Sequence, residues 1–217
     1  MRVLVLGAGG ASGRRIVDRA LAEGHEVTAF ARQPSSLEID HSHLTAARGD
    51  VLAPETLEAT MPGQDAVVWA VGGHDLLRTL LHGQRRQRRL CADGTANVLR
   101  AMRSADVPRF LCQSSWGVGD SHGRAPAHFR VIVFRTLLRA ELADKEAQER
   151  LVRASDRQWT IVRPSRLTDD PATGRYRAGP GLPFSVRAHV PRADVADLLV
   201  RELSERRFVR ETVEVTL

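Results

Sequence analysis

The chain has 217 residues, of which 42% are hydrophobic, a composition that suits one buried core. This length is too short for a second full domain, so we predict a single domain over residues 1–217. No window of about twenty apolar residues occurs, and the first strand runs directly into a glycine turn without a signal-peptide pattern, so we expect a soluble, cytoplasmic protein with no membrane partner. The net charge of +6 is compatible with nucleic acid, an anionic ligand or an arginine-rich proteome, and does not choose between them.

Apolar runs of strand length alternate with helical stretches, a pattern typical of a parallel sheet covered by helices on both faces. The sequence therefore predicts an α/β fold: a Rossmann-like, doubly wound, mostly parallel sheet. Strands are predicted at about 2–6, 26–31, 44–48, 66–70, 109–113, 159–163 and 212–216. Helices are predicted from about Arg14 to a cap at Gly24, and at about 80–105, 131–154 and 193–204.

The segment 168–191 is rich in glycine and proline and is predicted to be a loop. In sheets of this type, loops that follow the carboxyl ends of strands form the ligand crevice. We therefore expect the substrate pocket to be formed by this segment together with the loop at about 116–130.

A glycine-rich turn follows the first predicted strand. Gly7, Gly10 and Gly13 have the spacing G-x-x-G-x-x-G between a hydrophobic strand and an amphipathic helix, the context in which this motif binds a dinucleotide. The glycines permit close approach of a pyrophosphate, whose charge is met by backbone N–H groups and the helix dipole. An ordinary strand-to-helix turn is the alternative. The predicted cofactor contacts are Gly7, Gly10, Ala11, Ser12 and Gly13.

The end of the second predicted strand favours NADPH as the cofactor. Sheets that prefer NAD usually place an acidic residue there for the ribose hydroxyls, whereas this strand ends in Phe30-Ala31-Arg32. The guanidinium of Arg32 is suited to a 2′-phosphate, and Arg14 and Arg15 lie where they could assist. The alternative is that these arginines are solvated surface side chains.

Two further strand ends supply candidate cofactor contacts. After the third strand, Asp50 could accept from the adenine amino group while Val51 packs against the ring; a helix N-cap is the alternative role for Asp50. The fourth strand ends in Trp69-Ala70-Val71-Gly72-Gly73, whose small residues would let the backbone lie along the cofactor, with a simple turn as the alternative. The predicted cofactor site is therefore extended by Asp50, Val51, Ala70, Val71 and Gly72.

Several short motifs occur together along nearly the whole chain. They are the glycine turn, Phe30-Ala31-Arg32, Gly49-Asp50-Val51, Gly63-Gln64-Asp65-Ala66-Val67, Gly94-Thr95-Ala96-Asn97, Ser114-Ser115 and Trp159-Thr160-Ile161-Val162-Arg163-Pro164. In this combination the chain resembles the atypical short-chain dehydrogenase/reductases of the NAD(P)-binding, NmrA-like kind, and among them the biliverdin-IXβ reductase or flavin reductase group. The resemblance implies an NADPH-dependent reductase in which Ser114, Lys145 and Pro164 join the cofactor site and Lys145 holds the nicotinamide ribose.

The chain departs from the wider superfamily at the proton donor. Typical members use a tyrosine four residues before the active-site lysine, and here that position is Glu141. The only tyrosine, Tyr176, lies in the glycine- and proline-rich segment, so the usual Ser-Tyr-Lys relay is not expected. The flavin reductase group also lacks this tyrosine, and the resemblance implies Ser115 and Lys145 as the catalytic residues. Arg166 replaces a histidine that this group places after its sixth strand.

The predicted substrate contacts follow the fifth and sixth strands. The hydroxyl of Ser115 could stabilise charge on a substrate carbonyl, although Ser114 and Ser115 could equally cap the strand end. Trp116 could stack on a flat substrate, and burial in the core explains it equally well. Arg166 is assigned to the same pocket. Further residues that could line it are His122, Arg124, His128 and Arg130.

The remaining charged and thiol groups predict no further partner. The run Arg85-Arg86-Gln87-Arg88-Arg89 is predicted to form a solvated face of the long helix, because no aromatic residues are interleaved as a nucleic-acid site would require. Cys91 and Cys112 belong to no Cys/His array, and the histidine spacing fits no metal site. Neither a metal, a disulfide nor a nucleic-acid partner is therefore expected.

The sequence thus predicts an NADPH-dependent oxidoreductase that transfers hydride to a small flat acceptor such as a flavin, a quinone or a carbonyl compound, as a monomer or small homo-oligomer. A redox-sensing regulator of the NmrA-like kind, which binds the dinucleotide without turnover, is the alternative. Epimerase or dehydratase chemistry on the same scaffold is a third reading.

Overall fold

The computed structural model describes residues 1–37, 39–72, 89–124, 139–183, 185 and 187–217. Strands and helices alternate along these residues. The strands are β1 (Arg2–Leu6), β2 (Glu26–Ala31), β3 (Leu44–Arg48), β4 (Ala66–Trp69), β5 (Arg109–Gln113), β6 (Gln158–Pro164), β7 (Arg166–Thr168), β8 (Arg177–Gly179), β9 (His189–Pro191) and β10 (Glu211–Thr216). The helices are α1 (Ala11–Ala22), α2 (Pro54–Thr60), α3 (Leu90–Ser104), α4 (Arg139–Ala154) and α5 (Arg192–Glu205), with short 3-10 turns at Pro34–Leu37 and Gly119–Arg124.

Within the described ranges, one sheet of eight strands has the order β3-β2-β1-β4-β5-β6-β10-β8, and β7 pairs with β9 in a small second sheet. The neighbours in the large sheet are parallel except β10 and β8, which are antiparallel. The strand order reverses between β1 and β4, and Rossmann sheets bind their ligands outside the carboxyl ends of the strands at such a switch point. The predicted α/β, doubly wound fold is confirmed.

The inner strands of the sheet, such as β1, contribute to two cores because successive side chains point to opposite faces of the sheet. On one face, Val3 and Val5 pack beneath α1 and α5. On the other face, Leu4 and Leu6 pack in the core that α2, α3 and α4 cover. These four side chains of β1 are fully buried, which explains why they form a continuous apolar run after the exposed Arg2. In the part of the chain that the structure describes, no helix is long and apolar enough to cross a membrane.

The strands in the large sheet follow the predicted ones to within one residue at each end, apart from β8. Gly24 has a φ of 76° just after α1 and caps the helix as predicted. The helix begins at Ala11, earlier than the predicted Arg14. Helix α2 was not predicted, because Leu57 is the only buried residue in its seven-residue length and gives no periodic apolar pattern.

Two predicted elements are wrong in extent. The segment 168–191, predicted as loop, contains β8 and β9, which have three residues each and are too short to show an alternating pattern. The helix predicted at about 80–105 is not continuous, because Arg89 has a φ of 75° and α3 begins at Leu90. The predicted stretches at 80–88 and 131–138, with most of the arginine run, lie outside the described residues.

Candidate functional site: a dinucleotide crevice

The glycine turn between β1 and α1 is held by main-chain hydrogen bonds. The N–H groups of Gly7 and Ala8 donate to the carbonyl oxygen of Phe30 in β2 at 3.0 and 3.2 Å, and Gly10 donates to the carbonyl of Gly7 at 3.0 Å. Gly7 has a φ of 83°, a left-handed conformation that glycine adopts without strain. The motif therefore forms a tight turn at the carboxyl ends of two neighbouring strands.

Close backbone contacts leave no space for side chains in this turn. A Cβ atom on Gly13 would lie 2.1 Å from the carbonyl oxygen of Gly7. A Cβ atom on Gly7 would lie 2.9 Å from the carbonyl group of Ala70, the residue that follows β4. The turn, the first turn of α1 and the end of β4 are thus packed backbone against backbone, and both glycines are sterically required.

The first turn of α1 could hold an anion. Gly10 occupies the N-cap position, no side chain caps the helix, and the first turn contains no acidic residue. The first N–H groups of a helix have no acceptor within the helix, so those of Ala11, Ser12 and Gly13 are available to a ligand at the positive end of the dipole. Backbone donors and an approach free of side chains fit the pyrophosphate of a dinucleotide.

Positive charge lies at the same edge of the sheet. Arg32 directly follows β2 and is exposed, and the parallel pairing of β2 with β1 brings it to the edge where the glycine turn lies. Arg48, the last residue of β3, is a second exposed cation at this edge that the sequence analysis did not include. Arg15 is exposed on α1, while Arg14 is half-buried. This edge therefore carries several positive charges.

Asp50 and Val51 have structural contacts of their own. Asp50 Oδ1 accepts from the N–H of Leu52 at 3.0 Å, closing an Asx-type turn, and Ala53 is the N-cap residue of α2. The alternative of Asp50 as the N-cap is therefore wrong. Val51 is buried beneath α3, where a Cβ on Gly94 would lie 2.9 Å from it. Contacts of Asp50 and Val51 with adenine stay predictions.

Lys145 lies at the ends of β4 and β5. Its side chain is 5% exposed, and Nζ donates to the carbonyl oxygen of Gln113 at 3.5 Å. Gly72 has a φ of 115°, and a Cβ there would lie 3.3 Å from Lys145 Nζ. The turn that precedes Gly72 is fixed by Trp69 Nε1, which donates to the carbonyl of Val71 at 2.7 Å. The lysine is thus brought together with Gly72, one of the predicted cofactor residues.

Asp144 anchors the helix that carries Lys145. Its carboxylate, which is buried, accepts from the N–H groups of Cys91 and Ala92 at 2.9 and 3.0 Å and so caps α3 from α4. Arg89, at the N-cap position of α3, provides no side-chain cap. The two helices are therefore joined by a carboxylate next to the lysine.

We expect Asp144→Ala to lower the free energy of unfolding by about 1–2 kcal/mol, because two N–H groups at the start of α3 lose their acceptor. Asp93→Ala is the matched control: Asp93 is in the first turn of the same helix, but its side chain is 52% exposed, and its loss should change stability by less than about 0.5 kcal/mol. Urea denaturation measures both. Equal losses of stability in the two variants would show that the buried cap stabilises the protein no more than the exposed Asp93 does.

The two cysteines are buried free thiols. Burial raises the pKa of Cys91 to about 11 and also raises the pKa of Cys112, although the positive charge of Lys145 opposes both shifts. Both thiols therefore stay protonated at neutral pH and pack as small apolar side chains. Among the described residues, no group of three or more His, Cys, Asp or Glu side chains could hold a metal ion.

Gln113, the last residue of β5, is a site residue that the sequence analysis did not identify. Its Nε2 donates to Ser12 Oγ at 3.3 Å, and its backbone carbonyl is the acceptor for Lys145. Gln113 thus connects the first turn of α1 to the lysine. One glutamine at the end of an apolar strand belongs to no motif, so only the tertiary arrangement reveals it.

The two serines after β5 have different surroundings. Ser114 is 4% exposed, and its Oγ donates to Oε1 of buried Glu149 at 2.6 Å. Ser115 is half-buried, and its Oγ donates to the carbonyl of Trp116 at 3.1 Å. Trp116 is 8% exposed, and its backbone N–H donates to the carbonyl of Pro164 at 3.0 Å. Ser115 therefore has the more accessible hydroxyl of the pair.

An ion-pair network, buried at Arg163 and Glu149 and exposed at Asp120, adjoins Ser114. Arg163 in β6 donates to both carboxylate oxygens of Glu149, at 2.9 and 2.7 Å, and to Asp120 at 2.8 Å. Burial disfavours the charged guanidinium, but its bonds with Glu149 and Asp120 outweigh this effect and hold the pKa of Arg163 above its ordinary value. Arg124 donates to Asp120 at 2.9 Å and to Glu214 at 2.8 Å, which extends the network to β10.

The network joins the described parts of the two predicted pocket segments. Arg124, in the segment at 116–130, donates to the carbonyl of Leu182, in the segment at 168–191, at 3.2 Å. Glu214 accepts from the N–H of Gly181 at 2.7 Å. The two segments therefore meet beside β6 and β10, with His122 half-buried in the first of them. Two of the predicted lining residues lie outside the described residues: His128 and Arg130.

Tyr176 and the residues near it do not form a proton relay with Lys145. The hydroxyl of Tyr176 donates to Asp197 of α5 at 2.7 Å, on the face of the sheet that α1 and α5 cover. Burial and this hydrogen bond raise the pKa of Tyr176. Glu141 is half-buried one turn before Lys145 on α4, and Arg166 is exposed in β7.

A glycine turn at the switch point of a parallel sheet, an uncapped helix N-terminus and a lysine at the adjacent strand ends define the class of dinucleotide-binding Rossmann proteins. A family model described as NAD(P)H-binding matches residues 7–206, and the chain belongs to this family. The match includes the glycine turn, Arg32, Gln113 and Lys145. The NAD(P)-binding family predicted from the sequence motifs is confirmed.

Several known proteins are similar over nearly the whole chain. YhfK of Bacillus subtilis, described as an uncharacterized sugar epimerase, is 27% identical over 100% of this chain and 94% of its own length. An uncharacterized chloroplastic protein of Arabidopsis thaliana is 29% identical over 99% of this chain and 76% of its own length.

Solved structures show the same fold. A short-chain dehydrogenase/reductase from Veillonella parvula, in complex with NADP, has a TM-score of 0.80 and 20% identity, with 99% of this chain and 93% of that chain covered. ChuY of Escherichia coli O157:H7, described as an anaerobillin reductase, has a TM-score of 0.78 and 21% identity, with 99% and 96% covered. At these identities the likeness concerns the fold alone.

Proposed function

We propose that this protein is an NADPH-dependent reductase that transfers hydride to a small, flat acceptor such as a flavin, a quinone or a carbonyl compound. The observation that carries the proposal is the placement of Lys145 at the ends of β4 and β5, beside the glycine turn of an NAD(P)H-binding chain. Arg32 in place of an acidic residue supports NADPH rather than NADH. The NADP complex and the reductase name among the similar structures agree with this reading.

The chain supplies binding and orientation. The glycine turn and the first turn of α1 hold the pyrophosphate, Arg32 holds the 2′-phosphate, and Lys145 holds the nicotinamide ribose. NADPH, when bound, supplies the hydride. The fixed position of the lysine, which is 5% exposed and hydrogen-bonded to the end of β5, limits the ways in which the nicotinamide half can lie.

Ser115 and the pocket segments act on the acceptor. When it turns away from the carbonyl of Trp116, the hydroxyl of Ser115 donates a hydrogen bond to the acceptor oxygen and stabilises the negative charge that develops there. Trp116 and the described parts of the segments at 116–130 and 168–191 cover the acceptor from one side. Because Tyr176 is bound to Asp197, the proposal favours acceptors whose reduced form takes its proton from water.

The reaction is tested by the loss of the near-ultraviolet absorbance of NADPH with FMN, quinones and enals offered in turn. We expect consumption with at least one acceptor, and a rate lowered by about tenfold to a hundredfold in Ser115→Ala. Tight NADPH binding without consumption across the panel would refute the reductase and favour a regulator. Conversion of a sugar without net NADPH loss would instead favour the epimerase reading that the name of YhfK suggests.

Replacement of Arg32 by glutamate tests the choice of cofactor. We expect NADPH to bind about tenfold to a hundredfold more weakly, because a charge-assisted bond to the 2′-phosphate is lost, while NADH affinity changes by less than about threefold. Arg207→Glu is the control, since it makes the same change of charge at a residue after α5 whose side chain is 64% exposed. Calorimetric titration measures all affinities. Equal losses for NADPH and NADH in Arg32→Glu would contradict the role of Arg32.

A further inference from the structure

Gln113 contains a polar atom that the described residues leave unpaired. Its side chain is 8% exposed, Nε2 donates to Ser12 Oγ at 3.3 Å, and Oε1 is buried without a hydrogen-bond partner in this part of the chain. Exchanging the amide oxygen and nitrogen would leave an N–H unpaired instead, so one end of the amide lacks a partner in either orientation. Unpaired buried polar atoms are costly and therefore indicate an additional partner.

The place of Gln113 indicates what this partner is. Its side chain contacts the first turn of α1, where the pyrophosphate is held, and its backbone carbonyl contacts Lys145, which holds the nicotinamide ribose. Gln113 is also the last residue of β5, next to β4 in the sheet. Gln113 therefore links the two points that the nicotinamide half of a dinucleotide must span, with its side-chain amide at the first and its backbone carbonyl at the second.

Gln148 shows why the unpaired atom alone would not be sufficient. Its Oε1 is likewise buried without a partner among the described residues, and its Nε2 donates to Thr95 Oγ1 at 2.7 Å. This side chain is fully buried between α3 and α4 and contacts neither the glycine turn nor a strand end in any described hydrogen bond. Gln113 differs by its position in the crevice.

We propose that the Gln113 amide binds the nicotinamide–ribose half of the cofactor, accepting a hydrogen bond from a ribose hydroxyl or from the carboxamide N–H. The proposal rests on the proposed function, since it requires the dinucleotide in this crevice. Ser115 follows Gln113 by two residues, so the amide also fixes the nicotinamide relative to the proposed acceptor contact.

The test compares two matched glutamine substitutions. Gln113→Met keeps the length of the side chain and removes the amide, and Gln148→Met makes the same change at the buried control position. In calorimetric titrations, we expect NADPH to bind Gln113→Met about threefold to tenfold more weakly than wild type, and Gln148→Met unchanged. Adenosine 5′-diphosphate 2′-phosphate, which lacks the nicotinamide and its ribose, should bind all three proteins equally.

Each other outcome overturns the inference in a recognisable way. An equal loss for the fragment would mean that Gln113 acts on the pyrophosphate through Ser12, and an equal loss in Gln148→Met would indicate general loosening of the packing. Unchanged NADPH affinity in Gln113→Met would show that the amide makes no contact with the cofactor. Gln113→Asn, which keeps the amide but shortens the side chain, must show the same selective loss and serves if the methionine variant does not fold. Absence of NADPH binding to wild type would refute the proposed function itself.

Discussion

Gly13→Ala is expected to abolish dinucleotide binding and to destabilise the protein. The added Cβ would lie 2.1 Å from the carbonyl oxygen of Gly7 and 2.7 Å from its carbonyl carbon, and no side-chain rotation relieves a contact with backbone. The turn and α1 must separate, which should lower the free energy of unfolding by about 3 kcal/mol or more. Because the backbone donors then move by about 1 Å, NADPH affinity should fall by at least about a hundredfold.

Gly179→Ala is the matched control for this change. A Cβ on Gly179, in β8, meets no atom within 4 Å, so the same substitution should alter neither stability nor NADPH affinity beyond about 0.5 kcal/mol and twofold. Urea denaturation and calorimetric titration measure both quantities. A Gly13→Ala protein that binds NADPH like wild type would mean that the close packing of the turn is not what holds the pyrophosphate.

Arg163→Met is expected to destabilise the protein by about 3 kcal/mol, because it leaves the buried carboxylate of Glu149 without its bidentate partner. The expected cost lies at the lower end for a broken buried pair, since Arg153 still donates to Glu149 Oε2 at 2.8 Å and Ser114 to Oε1 at 2.6 Å. The described pocket segments meet on the same network through Asp120, so NADPH oxidation should also slow in this variant.

A second substitution separates unpaired charge from lost packing. In Arg163→Met with Glu149→Gln the buried charge is gone, so this double variant should be more stable than Arg163→Met alone. Arg207→Met is the exposed control and should cost less than about 0.5 kcal/mol. Denaturation curves for the set decide the matter. If the double variant is less stable than Arg163→Met, the unpaired charge of Glu149 is not the source of the lost stability.

The large-sheet core and the cofactor turn were predictable because their signals are local. Strands β1 and β4 are buried on both faces and therefore appear as continuous apolar runs. The three glycines of the turn lie within seven residues of sequence. The short strands β8 and β9 carry no such signal, since three residues cannot show an alternating pattern. The left-handed residue Arg89 interrupts a stretch whose composition favours a helix.

The contacts that organise the site could not be predicted because they join residues far apart in the chain. Gln113 meets Ser12 across 101 positions, and Asp144 caps α3 across 53. Ser114 belongs to a dipeptide that matched a family motif, but its bond to Glu149, 35 positions away, became visible only in the fold. Sequence patterns located the strand ends, whereas pairing across the sheet decides which side chains meet there.

Transfer of deuterium from NADPH labelled at C4 of the nicotinamide tests the proposed reductase most directly. With an enal acceptor, deuterium from one face of the ring should appear at carbon in the reduced product, and the rate should fall in the Ser115→Ala variant. With FMN or a quinone, whose reduced N–H and O–H groups exchange with water, the label should instead slow NADPH oxidation. Failure to consume NADPH with any acceptor, or a reduced enal free of deuterium from both labelled faces, would contradict hydride transfer by this protein.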